Sequence, residues 1–463
     1  MILSEFGFDP TADQRHALDV FGHFLADRHD RCVMVMRGSA GTGKTSLAGA
    51  MMRTLHGLGQ KLQLLAPTGR AAKVFSQHCG LPAGTIHRKI YRQKGIADRF
   101  NLNDNLFRNA LFVVDEASMV SSLPPTESVF GENALLDDLI QYVYSGDNCR
   151  LLLIGDTAQL PPVGEDESGA LQGETLEAYG LRVYQTDVNE VVRQKEASGI
   201  LWNATRIRQL ITHDEATSLP LIRFKGFADI VMMPGNELIE SIYSSYSNVG
   251  QDETMIITRS NKRANIYNMG IRSTILDREE EIGRGDQVMV VRNKYLKDDK
   301  EMPFIANGDR AEVVSARQFR DLYGFHFCDL TLRFPDYDDY ELTSTAILDT
   351  LHADAPALTA EQNQQLYEGV LEDYADLSRK SDRQAVLRED AYYNALQVKY
   401  AYAITCHKAQ GGQWAHVYVD QGYMTDDMLT PDYIHWLYTA FTRATEKLFL
   451  VNWPKTQTEG GTE

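Results

Sequence analysis

The chain has 463 residues, with 46 Lys+Arg against 64 Asp+Glu and a formal net charge of −18. Hydrophobic residues make up 43% and charged residues 24%, the balance of ordinary globular domains, so disordered and fibrous classes are excluded and the length calls for two to four domains, at roughly 100–200 residues each. No apolar run reaches the ~18–20 residues that span a bilayer, and the start, MILSEFGFDP, lacks the basic-then-apolar pattern of a signal peptide.

The charge is unevenly distributed. Residues 329–390 hold 15 acidic and 5 basic side chains, a net of −10, whereas residues 61–100 hold 8 basic side chains and one acid, a net of +7. The overall acidity argues against a polyanionic partner, and the local basicity argues for one. The five cysteines, Cys32, Cys79, Cys149, Cys328 and Cys406, lie far apart. They offer neither zinc spacing nor a disulfide framework, which fits a reducing, cytosol-like compartment, nuclear or organellar ones included.

In chain order, the apolar runs CVMVM (32–36), LQLLA (62–66), LFVV (111–114) and LLLI (151–154) each end in glycine, proline or a polar cluster and alternate with helical patterns. Short continuous apolar runs read as strands buried on both faces, hence a parallel sheet between helix layers. A second series, TMIITR (254–259), QVMVV (287–291), YAITC (402–406), HVYVD (416–420) and LFLV (448–451), predicts a second α/β domain. Between these runs, 286–347 alternates with NG and YG turn signals, the mark of a small β-barrel or meander, and 358–395 is acidic and helix-forming.

The sharpest motif is Gly38-Ser39-Ala40-Gly41-Thr42-Gly43-Lys44-Thr45, followed by Ser46 and set between a strand and a helix. It matches the phosphate-loop pattern, in which backbone amides cradle phosphates, Lys44 reaches the β/γ-phosphates and Thr45 offers a hydroxyl to Mg²⁺. Asp115 and Glu116 close the LFVV strand. Asp115 is the expected Mg²⁺ partner and Glu116 the base that polarises an attacking water, so ATP and Mg²⁺ are the expected ligands.

The remaining motifs resemble those of superfamily 1 DNA helicases, in the RecD-like, Dda-like and Pif-type branch. DEASMV (115–120) and LIGDTAQLPPVG (153–164) are similar to motifs II and III, DPTADQRHAL (9–18) to the Q motif, LLAPTGRAAKVF (64–75) and GTIHR (84–88) to motif Ia and the segment after it, NEVVRQ (189–194) to motif IV, TRSNKRANIYN (258–268) to the family's next segment, AITCHKAQGGQW (403–414) to motif V and YTAFTRATEKL (438–448) to motif VI. The resemblance implies two tandem RecA-like domains. Domain 1 would cover 1–188 with a small wedge insertion near 80–110, and domain 2 would cover 189–463 with an SH3-like barrel insertion near 290–396. It implies an ATP-driven motor on single-stranded DNA, opening duplex or forked DNA with 5′–3′ polarity and acting as a monomer with unknown protein partners. A non-unwinding nucleotide-dependent subunit or an RNA-directed helicase are the alternatives.

The same resemblance implies roles. Gln14 would contact adenine, Gln159 would sense the γ-phosphate, and Arg193 and Arg443 would serve as arginine fingers. Gly412 and Gln413 would approach the nucleotide, with Gln413 standing where some relatives carry an acid. Pro67, Thr68, Arg70, Lys73, Phe75, Thr85 and His87 would form the DNA track in domain 1, and Arg259, Asn261, Lys262, Asn265, Thr405, His407 and Lys408 in domain 2. Tyr91 and Phe100 interleave with cations in the way a single-strand track does, and Phe100 and Phe107 are candidate wedges. The acidic 329–390 stretch reads as a solvated surface facing away from DNA.

Overall fold

The structure is a computed structural model. It describes residues 1–92, 101–124, 133–190, 198–212, 219–296, 302, 304–377, 379–387 and 389–460. Arg193 and Phe100 lie outside the described residues.

The first sheet has six parallel strands: β1 (Cys32–Gly38), β2 (Lys61–Ala66), β3 (Ala83–Thr85), β4 (Ala110–Val114), β5 (Arg150–Gly155) and β6 (Arg182–Val188), in the order β3-β2-β4-β5-β1-β6. Alternate residues of one strand enter different cores. Val33, Val35, Phe112 and Val114 pack on one face, and Met34, Met36, Leu111 and Val113 on the other. Two covered faces are why these strands read as unbroken apolar runs. Helices α1 (Ala12–Ala26), α2 (Lys44–Gly57), α3 (Gly69–Cys79) and α4 (Leu135–Ser145) flank the sheet. α1 opens on a capping box in which the Thr11 hydroxyl accepts from Gln14 N and the Gln14 side chain accepts from Thr11 N, satisfying two orphan amides.

Helices α5 (Gly199–Thr212) and α6 (Leu238–Asn248) open the second domain, whose sheet contains β7 (Ile230–Met233) and β8 (Thr254–Thr258). After helix α7 (Asn261–Gly270) the chain leaves that sheet and builds a closed barrel from β9 (Gln287–Val290), β10 (Arg310–Leu322), β11 (Phe325–Phe334), β12 (Tyr340–Ile347) and β13 (Leu396–Tyr400). It then returns as β14 (Ala403–Thr405), β15 (Trp414–Asp420), helix α9 (Pro431–Phe441) and β16 (Ala444–Val451), and the parallel sheet runs β14-β8-β15-β16-β7. The acidic helix α8 (Ala360–Glu372) is carried between β12 and β13.

One strand assignment is corrected. QVMV (287–290) belongs to the barrel, pairing antiparallel with β10 and β13. Its apolar run misleads because Val288 and Val290 are buried in a core that the barrel shares with Ile256 and Tyr418 of the domain 2 sheet. Conversely, β7 is a sheet edge that the apolar-run pattern did not single out. The architecture is therefore two parallel α/β domains in tandem with a barrel inserted in the second. In the region of the expected wedge, the described residues pair Tyr91–Arg92 antiparallel with Asn101–Leu102.

Candidate functional site

The carboxyl ends of β1, β5 and β4 carry Gly38, Asp156 and Asp115 to one edge of the first sheet, where ligands of open α/β sheets bind. At the end of β1 the chain enters the phosphate loop, with Gly43 at φ +75° and ψ +21°, as N-cap of α2. That left-handed conformation disfavours any side chain. The Lys44 ammonium donates to Ser39 O at 2.9 Å, folding back over the loop it is expected to serve. Gln14 donates to Thr42 O at 2.8 Å while its carbonyl closes the capping box, so Gln14 braces the loop from behind.

Beside the loop, Asp115 is buried, and burial followed by the negative charge of Glu116 raises its carboxyl above the usual range. The Thr45 hydroxyl and the Lys44 charge oppose that shift. A buried, under-neutralised carboxylate hydrogen-bonded to a phosphate-loop threonine is the donor pair a Mg²⁺ ion fits. Glu116 adopts φ +54° and ψ +39°, a left-handed conformation rare for a non-glycine, and strain of this kind gathers at active sites. The Gln159 side-chain oxygen is buried without a partner among the described residues, as suits a group that waits for a ligand. Ala40, Gly41 and Ser46 complete the loop, with Gly41 and Ser46 exposed.

Helix α9 of domain 2 faces this edge. Tyr438, Thr439, His435 and the nearby Gln410 all hydrogen-bond to segments of domain 1. Arg443 follows on the same chain segment. It is buried and donates to Thr439 O, Gly412 O and Thr442 Oγ1, all in its own domain. The expected finger is thus held against motif V. A Cβ at Gly412 would lie 2.4 Å from the Trp414 ring, so any side chain there would have to displace the buried indole. Gln413 is exposed, and its carbonyl accepts from Arg70 at 2.9 Å.

The expected nucleic-acid track also forms at strand ends. In domain 1, Ala66 of β2 and Thr85 of β3 are register partners, and Pro67 and Thr68 follow the first. In domain 2, Thr258 of β8 and Thr405 of β14 are register partners. Arg259, Asn261 and Lys262 therefore stand beside Thr405, His407 and Lys408. Arg259, Lys262 and His407 are exposed. The Arg259 guanidinium lies 5.4 Å from the Tyr433 ring centre.

Four expectations for this track are corrected. Phe75 is 0% exposed, in the core with Met51, Met52 and Leu64, because the amphipathic α3 turns it inward; it cannot stack on a base. Thr85 is buried, and its hydroxyl caps Arg88 N at 3.3 Å. Tyr91 is buried and donates to Asp138 at 2.7 Å. Phe107 is no free wedge, since it packs edge-on against Phe112 at 5.7 Å, with the Lys89 ammonium 4.4 Å from its ring centre. His87 is pushed down to about 4 by burial and lies against the Tyr91 and Phe304 rings, so it is neutral at ordinary pH.

The barrel covers much of what remains. Lys73 donates to Pro335 O at 2.7 Å, and Arg70 pairs with Asp336 at 3.5 Å and with Glu253 at 3.5 Å. Arg88 sits 3.9 Å from the centre of the Tyr337 ring. Asn265 donates to Ala353 O at 2.9 Å, and Lys408 donates to Asn307. Thr68 spends its hydroxyl on the N-cap of α3, accepting from Ala71 N at 3.2 Å. The acidic stretch is therefore not wholly turned away from the basic one, for Asp336 belongs to the first and Arg70 to the second.

All five cysteines are free and buried. No cluster of three or more His, Cys, Asp or Glu suited to a metal occurs among the described residues, and no described helix is long and apolar enough to cross a membrane. Sequence reasoning missed Asp156, Gln410, His435, Tyr438 and Thr439, although all lie in or beside quoted motifs. Their partners are across the domain boundary, so spacing along the chain holds no signal for them.

A family model described as AAA domain matches residues 11–219, and one described as UvrD-like helicase C-terminal domain matches residues 400–451. The chain is 36% identical over 132 residues to the ATP-dependent RecD2 DNA helicase of Deinococcus radiodurans, covering 28% of this chain and 16% of that protein. It is 24% identical over 331 residues to the ATP-dependent DNA helicase dda of Enterobacteria phage T4, covering 66% of this chain and 68% of that protein. A probable conjugal transfer protein TraA of Sinorhizobium fredii matches at 22% identity over 89% of this chain and 30% of its own length. The chain thus spans less than a third of two of these relatives. Among solved structures, Pif1 helicase from Bacteroides in complex with ADP-AlF3 and single-stranded DNA superposes with a TM-score of 0.48 at 14% identity, over 96% of this chain and 93% of that one. Taken with the ordered motif series and the phosphate-loop geometry, the two family matches and the helicase relatives support the resemblance of this chain to superfamily 1 helicases of the RecD-like, Dda-like and Pif-type branch (superfamily 1B).

Proposed function

We propose that this chain is an ATP-dependent DNA helicase motor that translocates 5′–3′ on single-stranded DNA and opens duplex or forked DNA, working as a monomer. One observation carries the reading: Lys44, Thr45, Asp115, Glu116 and Gln159 converge on one edge of the first sheet, and a helix of the second domain closes over that edge. Bound MgATP supplies the phosphoryl group and the charge neutralisation that hydrolysis needs. The rest is chemistry of this chain. Lys44 releases Ser39 O and turns to the phosphates, Glu116 accepts the proton of the attacking water, and Gln159 orients against the terminal phosphate. Arg443, and Arg193 in the matching motif, would add charge from domain 2 when the cleft tightens. ATP is held best when both domains contribute, so binding favours closure and hydrolysis relaxes it.

The strand would pass over the paired strand ends of both domains, held by hydroxyls, amides and Arg259, Lys262 and His407. It competes there with the barrel for Arg70, Lys73 and Lys408. The 5′–3′ direction rests on the branch alone.

The test is ATP turnover with and without oligo(dT), then unwinding of duplexes that carry a 5′ or a 3′ single-stranded tail. Stimulation and 5′-tail preference are expected. Lack of stimulation by any single strand would sink the motor. Stimulation by RNA but not DNA oligomers would make it an RNA-directed helicase, opening of 3′-tailed duplexes alone would reverse the polarity, and stimulation without unwinding would leave a translocase or a subunit of a larger complex.

A further inference from the structure

Tyr438 lies on α9, is 1% exposed, and spends its hydroxyl wholly on the other domain. The O–H donates to Asp156 Oδ2 at 2.6 Å and the same oxygen accepts from Ala40 N at 2.9 Å. Asp156 is also 1% exposed, and its second oxygen accepts from Ala158 N at 3.0 Å, which shapes the turn that presents Gln159. Three further bonds seat the same turn on domain 2. Thr439 Oγ1 accepts from Leu160 N at 2.8 Å, Gln410 Nε2 donates to Leu160 O at 2.5 Å, and His435 Nδ1 lies 2.9 Å from Ala158 O. Tyr438 differs from these in reaching the phosphate loop as well.

A phenol buried beside a carboxylate keeps its proton. Burial first and the Asp156 charge second push its ionisation well above the ordinary tyrosine range, so it acts as a fixed donor rather than an acid. One hydroxyl therefore joins three segments: Ala40 in the phosphate loop, the turn bearing Gln159, and the helix that leads into Arg443. A buried group with two bonds across a domain boundary cannot follow one partner without displacing the other.

We propose that Tyr438 is a positioning residue that couples the nucleotide site to the second domain, so that a change at the phosphate loop and the Gln159 turn is delivered to the α9–Arg443 segment. The inference rests on the nucleotide-hydrolysing reading above. Tyr438 touches no substrate atom in it; its role is to make the two halves of the cleft respond together. The arrangement predicts that losing the hydroxyl uncouples the halves while the ring still fills its place.

The experiment compares the full chain with Tyr438→Phe and with Tyr418→Phe, which removes another buried tyrosine hydroxyl, bonded to Ser241 and Ser245 of domain 2 and away from the cleft. Steady-state turnover at saturating oligo(dT) should fall about tenfold in kcat for Tyr438→Phe while the KM for ATP moves less than about threefold; Tyr418→Phe should keep kcat within about threefold. Independently of DNA, addition of AMP-PNP with Mg²⁺ should shift tryptophan emission in the parent chain, because Trp436 lies on α9 stacked against Tyr433. That shift should be lost in Tyr438→Phe although calorimetry shows AMP-PNP still bound. Equal loss in both variants would make the contact merely structural, and an unchanged kcat and emission shift in Tyr438→Phe would overturn the proposal outright. A parent chain that neither binds AMP-PNP nor hydrolyses ATP would instead sink the nucleotide reading on which it stands.

Discussion

The nucleotide cleft and the strand-end track are built by the same device, parallel strands delivering loops to one edge, yet they treat their nominated residues differently. In the cleft, Lys44, Thr45, Asp115 and Glu116 gather on one edge of the first sheet, and among the described residues the Gln159 side-chain oxygen has no partner. On the track, Arg70, Lys73, Asn265 and Lys408 are held by the barrel or its extension, and Phe75 and Thr85 are buried. A phosphate loop does its work through backbone amides and short side chains, so local spacing decides it. A track is a surface, and another element can cover a surface.

The largest effect expected on this contrast is in the cleft. Lys44→Ala and Glu116→Gln should each lower ATP turnover by about 10²–10⁴-fold, with Glu116→Gln still binding nucleotide, measured by phosphate release and calorimetry. Retained hydrolysis in either would place the chemistry elsewhere.

The next effect tests the covered track. Asp336→Ala removes one of the two carboxylates paired with Arg70, the one carried by the barrel, so oligo(dT) should bind about three- to tenfold more tightly in fluorescence anisotropy. Weaker binding would mean that Asp336 organises the track rather than masking it. Lys408 offers a pH handle. Burial lowers it to about 8, so it loses its charge as pH rises through that value. Phosphate contact requires the charged form, so its share of affinity is present below about pH 8 and lost above it. Oligo(dT) affinity should fall severalfold between pH 7 and 9, with net proton uptake on binding near pH 8, and Lys408→Arg should flatten both.

The smallest effect is the most discriminating for the corrected aromatic. Phe75→Leu should cost about 1–2 kcal/mol of stability in urea unfolding while leaving oligo(dT) affinity within about twofold, because the ring belongs to the core. A large loss of affinity at unchanged stability would restore it to the track.

Much of the fold is legible in the sequence. Unbroken apolar runs marked strands covered on two faces, and they marked them wherever both faces were covered, which is also why QVMV was placed in the wrong sheet: period and composition do not reveal whether the second face meets a helix layer or a barrel interior. The phosphate-loop pattern and the Asp115–Glu116 pair stand out in the sequence because the chemistry proposed for them demands fixed residue types at fixed spacing. Phe75 was misread because cation and aromatic interleaving looks alike whether the ring faces a base or the core.

The chain's charge imbalance shows where the division falls. The sequence alone determined that a basic segment and an acidic segment exist, that two α/β domains follow one another with a β-rich insertion in the second, and that a phosphate-loop pattern sits at a strand–helix junction. Only the tertiary structure decided that Asp336 meets Arg70, that Pro335 meets Lys73, and that Tyr438 spans the cleft to Ala40 and Asp156. Each of these pairs is separated by well over 200 residues, so their meeting depends on domain packing and loop closure, which leave no periodicity in the chain.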